Sequence, residues 1–424
     1  MTVVNALSKQ PDRPRSWVSI IFGLWCGTLY SVVIGSKLLL PGEGESTSQI
    51  AALVAAIVWP LGYFLFSRNR SVAARIRGDF LAALYVFSLF CLLSCFNSPI
   101  ALKSIAYTGL TLVGVWIAVQ FIFRMEARQF ETGLKIYALI NIPVLVSFAA
   151  YDYVPGVRLG LGKDILNPNA IAMVSFSAAL STMAFRNWLT RYALMAPVFV
   201  ILYLTGSRAS TVATLIGLSI IAYERTRLST WKTKVFMFLT LSVALSAILF
   251  NWETVWSSVK DFLQLESRDR GFESGASGRT VVWNATWELF WDNPVLGIGF
   301  RAHEVLLGIS SHNGYLAMLA EIGLIGFVAV IYIILIGVFL LWRKVRHTEL
   351  TFSHSILFGL SCGYLFLAMF ERFLINVGNP TSLLFLIATL MSAKVTSRQR
   401  ISLVRHANVS IRQPGLKGLK YTSM

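Results

Sequence analysis

Charge is scarce in this chain: 13% of its 424 residues are Asp, Glu, Lys or Arg, against 56% hydrophobic, whereas a soluble domain carries roughly 25% charged residues. That balance excludes an ordinary water-soluble protein. Cysteine is rare too, and all four (Cys26, Cys91, Cys95, Cys362) fall inside apolar segments. With no pair in a polar loop, neither a disulfide framework nor a zinc site is expected, and Cys91 and Cys95, one helical turn apart, are read as core packing. The polar segments assigned below to the outer face contain no Asp-x-Asp, His-Glu-x-x-His, cysteine cluster or Gly-Lys-Ser/Thr. A metal-bridged diphosphate or a nucleotide-driven reaction therefore lacks its usual ligands. Glu43-Gly44-Glu45 sits in a short turn and is not read as a metal site; neither metal nor cofactor is expected. A cleavable signal is not expected either, since the first apolar stretch, Trp17 to Leu40, is too long for a signal h-region. It reads as a retained first helix.

What the chain has in abundance is apolar runs of about 20 residues, the length that crosses a hydrocarbon core about 30 Å thick. Twelve candidate helices start near Trp17, Ile50, Phe80, Ala101, Gly133, Ala170, Tyr192, Thr211, Val235, Gly314, Phe352 and Thr381. With the N-terminus in the cytoplasm, most of the 37 Lys and Arg fall on the cytoplasmic side and most of the 20 acidic residues outside. The net charge of +17 then follows from the positive-inside rule and anionic membrane lipid, and needs no nucleic acid. The expected fold is all-α: a polytopic integral membrane protein of about twelve spans. One membrane domain covers 1–424, with a large outer loop at 251–311 and a basic, lipid-attracted cytoplasmic tail at 394–424.

This orientation places Arg158, Arg208, Arg279, His312 and Arg372 on one face. In Thr205-Gly206-Ser207-Arg208-Ala209-Ser210-Thr211, small and hydroxylated residues open a helix. Its free N–H groups favour an anion, Arg208 supplies a permanently charged fork, and Ser207, Ser210 and Thr211 can cap the helix or donate to phosphate oxygens. Arg279 follows Gly275-Ala276-Ser277-Gly278, and Trp283, Trp287 and Phe290 then recur on one helical face, which reads as a helix in the headgroup region. Asn293-Pro294 ends it, and Gly297-Ile298-Gly299 turns the chain back. His312 and Asn313 cap the next apolar helix; a neutral imidazole there can accept a proton. His303 shares that face but has a less anchored position, and Glu321 lies on the wrong side of an ideal helix to orient His312, so it is expected to partner another buried polar group. Arg158, ahead of Asn167-Pro168-Asn169, is the better further ligand, while Arg372 can pair with Glu371 or lipid phosphate.

Together, Asn167-Pro168-Asn169, Thr205 to Arg208, Gly278-Arg279 with its following Trp, Asn293-Pro-x-x-Gly-x-Gly299, and His312-Asn-x-x-Leu316 leading to Glu321-x-Gly323 resemble the O-antigen ligase and polymerase superfamily. The resemblance spans about Arg158 to Gly326. It implies a GT-C-type glycosyltransferase of the Gram-negative inner membrane, with both termini cytoplasmic and the 251–311 loop and active site periplasmic. The donor it implies is a glycan on undecaprenyl pyrophosphate; the acceptor, for a ligase, is the lipid A core. On that model Arg208 and Arg279 hold the pyrophosphate, His312 activates the acceptor hydroxyl, and Arg158, Ser207, Ser210 and Asn313 support substrate binding. A polymerase would need the same arginines and base, and the reading leans to ligase because a single large outer loop carries the site. A transporter or flippase is the reading from another class; it predicts charge near the midplane and two similar halves, whereas charge here clusters at span ends.

Overall fold

A computed structural model describes residues 17–39, 45–66, 74–125, 127–163, 166–227, 229–263, 279–347, 351–372, 374–376 and 378–396. The N-terminal segment to Ser16, Glu43 and Gly44, the Gly275–Gly278 approach and the tail beyond Thr396 lie outside the described residues. The helices in chain order are α1 (Trp17–Leu39), α2 (Glu45–Phe66), α3 (Gly78–Ser94), α4 (Ala101–Arg124), α5 (Ala127–Asp152), α6 (Pro168–Thr182), α7 (Trp188–Thr205) and α8 (Arg208–Arg227). They continue with α9 (Trp231–Phe250), α10 (Trp252–Leu263), α11 (Arg279–Asp292), α12 (His303–Leu307), α13 (Gly314–His347), α14 (Thr351–Leu367) and α15 (Pro380–Ala393).

Each of the twelve apolar windows is occupied by a helix. Five helices among the described residues are long and apolar enough to cross a membrane: α3 with its 3-10 extension to Asn97, α4, most of α5, α7 and most of α13. Shorter apolar stretches occur in α1, α2, α14 and α15. The others depart from the simple span picture for physical reasons. α6 has 15 residues, about 22 Å of helix, and its side chains from Ile171 to Thr182 are all buried, so it is a core helix wrapped by protein. Asn167 caps it by accepting from the Asn169 amide at 2.8 Å, with Pro168 in the first turn, where a missing N–H costs nothing. Asn379-Pro380 repeats that device at α15, which is buried along its whole length.

α8 and α14 run antiparallel in very close contact. A Cβ on Gly359 would lie 2.6 Å from the Gly217 carbonyl, and one on Gly363 would lie 2.6 Å from the Ala213 carbonyl. Small residues let helix backbones approach this closely, the packing mode available where no water drives association. The same register, one turn further, sets the start of α8 beside the end of α14.

At the opposite end of the bundle, β1 (Ala74–Ile76) pairs antiparallel with β2 (Lys394–Thr396). The second strand takes in the first three residues, Lys394–Thr396, of the segment read as a lipid-attracted tail. Lys394 is buried, and its ammonium donates to the Ile122 and Met125 carbonyls at 2.7 Å each. Those carbonyls have no partner within α4, and a three-donor ammonium can serve both.

Candidate functional site

The residues singled out in the sequence gather at the end of the bundle where α7 ends, α8 and α13 begin and α14 stops. α7 terminates at Gly206, left-handed at φ 56°, a conformation that glycine adopts without steric penalty. The preceding loop docks on that terminus: the Leu159 amide donates to the Leu204 carbonyl at 3.0 Å, and Arg158 Nε to the Thr205 carbonyl at 2.7 Å. A Cβ on Gly206 would lie 3.3 Å from Arg158 Nε, so the glycine also makes room for the arginine. Buried Asp152 shapes the loop by accepting from the Gly160 and Lys163 amides at 2.5 and 2.9 Å. Arg158 Nε is thus fastened to the last residue of α7, three residues before Arg208.

Arg208, half-buried, is the first residue of α8. Ser207 and Ser210 are buried, and Ser207 Oγ donates to Ser210 Oγ at 3.2 Å; the Ser207 carbonyl accepts from Thr211 Oγ1 at 3.0 Å. The structure therefore places these hydroxyls in the corner, where they tie the turn to the first turn of α8. Asn313 is committed in the same way: its Oδ1 accepts from the Tyr315 and Leu316 amides at 3.1 Å each, capping α13.

Arg279 is the first residue of α11. Its guanidinium lies 6.0 Å from the Phe370 ring centroid, at the outer limit of a cation–π contact. The aromatic stripe is divided between two surroundings. Trp283 is half-buried and donates through Nε1 to the Ser311 carbonyl at 2.8 Å, and Phe290 is buried, while Trp287 and Trp291 remain exposed. One end of the stripe docks α11 onto the segment that carries His312. The amphipathic pattern belongs instead to α10, where Trp252 and Trp256 stack at 5.6 Å on an exposed face. Trp283→Phe, which removes the donor and keeps a ring, is expected to weaken α11 docking by about 1 kcal/mol, lowering the unfolding midpoint in detergent by about 2 °C.

The Asn293 to Gly299 turn fits into a break in α13. Gly323, at φ 69° and ψ −179°, interrupts that helix. The carbonyls and amide released by the break are taken up by the turn: the Ile298 amide donates to the Ala320 carbonyl at 3.0 Å, Gly299 to Glu321 at 3.1 Å, and Leu324 to Pro294 at 2.8 Å. Backbone polar groups in a water-poor setting must be satisfied this way. Gly297 and Gly323 face each other's segments so closely that a Cβ on either would collide with the opposite backbone. Asn97 adds a side-chain tie, donating to Asn293 Oδ1 and the Gly297 carbonyl at 3.3 Å each.

The break explains a second correction. His303, expected to be the less anchored histidine, is buried, and its Nδ1 lies 2.5 Å from Oε1 of buried Glu321. Glu321 does have a buried polar partner, and that partner is His303. Nε2 of His303 reaches Ser311 Oγ at 3.4 Å, so the pair backs the loop that carries His312. His312 itself is half-buried and left-handed at φ 47°, uncommon outside glycine; its amide donates to Ser310 Oγ at 3.3 Å.

The turn after α14 was the least legible part. The Ala368 carbonyl accepts from the Gly314 amide at 2.8 Å, joining the end of α14 to the start of α13. Phe370 then meets Arg279, Glu371 faces His312, and Arg372 pairs with Glu304 rather than Glu371. Arg301 is a further cation that sequence reading missed: it has φ 65°, and its guanidinium lies 5.5 Å from the Tyr107 ring centroid. Arg158, Arg208, Arg279 and His312 are thereby arranged around a corner built from α7, α8, α11, α13 and the end of α14. Such an arrangement can bind a multiply charged anion and accept a proton beside it.

Comparison with known families agrees with the sequence motifs. Residues 193–331 match the family model described as O-Antigen ligase, a stretch that contains Arg208, Arg279 and His312 and leaves out Arg158 and the turn at 370–372. That stretch supports the resemblance to the O-antigen ligase and polymerase superfamily. No curated protein matches the chain.

Proposed function

We propose that this chain, which resembles that superfamily through its 193–331 segment, is an O-antigen ligase. It transfers a glycan from undecaprenyl pyrophosphate to the lipid A core oligosaccharide. The observation that supports this most is the gathering of Arg208, Arg279 and His312 at one end of the bundle, on helix starts and turns fixed by backbone hydrogen bonds. Arg208 and Arg279 hold the pyrophosphate, with Arg158 beside them; Ser207, Ser210 and Asn313 shape the corner they stand on. The acceptor hydroxyl attacks the anomeric carbon while His312 takes its proton, the carbon–oxygen bond to pyrophosphate breaks, and the diphosphate leaves with the bonding electrons. An in-line displacement inverts the anomeric centre. Two arginines neutralise the leaving diphosphate, the task a metal ion performs in other phosphoryl and glycosyl transferases.

In the same reading about twelve helices span a Gram-negative inner membrane, with both termini cytoplasmic. The 251–311 loop and the site then face the periplasm, and α10 lies on the bilayer surface. The test is reconstitution of the full chain with purified lipid-linked glycan and lipid A core, with and without a chelator. Capped lipopolysaccharide formed in the presence of chelator is the expected result, and Arg279→Ala or Arg208→Ala should lower transfer by about 10²-fold. Longer lipid-linked chains in place of capped core would make the protein a polymerase, and movement of intact donor without transfer would make it a transporter.

A further inference from the structure

Glu371 is a carboxylate without an obvious reason to be where it is. It is 5% exposed, and the one ion contact it makes among the described residues is with His312, Oε2 to Nδ1 at 3.9 Å. The histidine nitrogen it faces is itself buried and has no hydrogen-bond partner among the described residues. Two buried polar atoms, one an acceptor and the other able to be a donor, thus face each other across a gap slightly too long for a hydrogen bond.

The backbones on both sides are fixed. Gly314 donates to the Ala368 carbonyl at 2.8 Å, and a Cβ on Gly314 would lie 3.0 Å from the Glu371 carbonyl and from the Leu374 amide. A side chain at this position would crowd both segments. His312 is held left-handed two positions before that contact, and Trp283 and Asn313 anchor its flanks.

We propose that Glu371 is the positioning residue of His312, an inference that rests on reading His312 as the base of the transfer reaction. A neutral imidazole carries one N–H and one lone pair, and the partner of one nitrogen decides which role the other takes. An ionised carboxylate only accepts, so Glu371 draws the N–H to Nδ1 and leaves the lone pair on Nε2. The acceptor hydroxyl proton then moves to Nε2 as its oxygen bonds to the anomeric carbon and the diphosphate departs with the electron pair. The imidazolium that results stands beside the Glu371 carboxylate. Catalytic hydrogen bonds are often long before substrate arrives, and closing this one requires about 1 Å of side-chain movement. Glu371 lies beyond the 193–331 segment matched to the family, so the dyad joins a residue inside that segment to one outside it.

The experiment measures kcat and donor KM for the reconstituted full chain carrying Glu371→Gln or Glu371→Asp. Glu371→Gln keeps the shape and removes the charge, and is expected to lower kcat by about 10²-fold with donor KM unchanged. Glu371→Asp keeps the charge and lengthens the gap, with an expected loss of about tenfold in kcat. Wild-type kcat in folded Glu371→Gln, or a rise in KM with kcat intact, overturns the proposal. If Glu371→Gln does not fold, the Asp variant decides: lowered kcat at constant KM supports the dyad, and unchanged kcat overturns it. His312→Ala separates the two levels of inference. If that variant is fully active, the base assignment fails; if it is inactive while Glu371→Gln is normal, only the dyad fails.

Discussion

His312→Ala is expected to lower kcat for glycan transfer by about 10²–10⁴-fold, the range typical of a lost general base, while leaving donor KM nearly unchanged. The split follows from the division of labour at the site. In the proposed reaction donor affinity rests on the pyrophosphate and its arginines, two of which stand first in their helices, Arg208 in α8 and Arg279 in α11. The histidine has a different setting: a half-buried ring on a left-handed residue with Nδ1 turned toward Glu371. A residue that acts on the acceptor proton only as the transition state forms affects kcat and kcat/KM equally. Steady-state kinetics on the reconstituted variant, at matched protein level, make the check. Activity within about threefold of wild type would remove His312 from the chemistry.

Gly323→Ala is expected to destabilise the protein by about 2–6 kcal/mol, adding backbone strain to overpacking, a large share of a typical total of about 5–15 kcal/mol. Its φ of 69° with ψ near 180° belongs to a region essentially restricted to glycine, and the new methyl would collide with the Val295 carbonyl. The chain would either straighten α13 and expel the Asn293 to Gly299 turn, or keep the turn and carry the strain. Expulsion lets α13 close its own ladder but orphans the Ile298 and Gly299 amides and the Pro294 carbonyl of the turn, and it moves Glu321 away from His303. Gly109→Ala in α4 is the control, because nothing lies within 4 Å of the new Cβ; it should stay within about 0.5 kcal/mol of wild type. Thermal unfolding in detergent, together with transfer activity, distinguishes the two. Equal midpoints for the variants would show that the interlock contributes little.

Much of the helical frame could be read from the sequence because apolar length and helix caps are local signals. Asn167-Pro168 and Asn379-Pro380 each announce a helix start within three residues. Arg208, Arg279 and His312 were legible for the same reason: each stands at a boundary where an apolar run meets polar residues. α10 was missed although its apolar residues recur at helical spacing, because Trp252, Val255 and Trp256 alternate with polar ones inside a segment whose average is polar. The His303–Glu321 pair was out of reach for a different reason. An unbroken helix would not accept the 293–299 turn, and only the backbone of Gly323 creates the break. Glu371 gives no local sign at all, since its meeting with His312 depends on how α14 ends against the start of α13.

The contact of α8 with α14 has a mechanical consequence. Where a carbonyl of one helix sits against an α-carbon of the other, at Gly217 with Gly359 and at Ala213 with Gly363, neither helix can slide or rotate without a clash. The two helices behave as a single strut, with Arg208 at the tip of one and the 370–372 turn at the tip of the other. The distance between the α8 cation and Glu371 is therefore set by the scaffold, so a ligand that bridges them must fit a span the strut does not change.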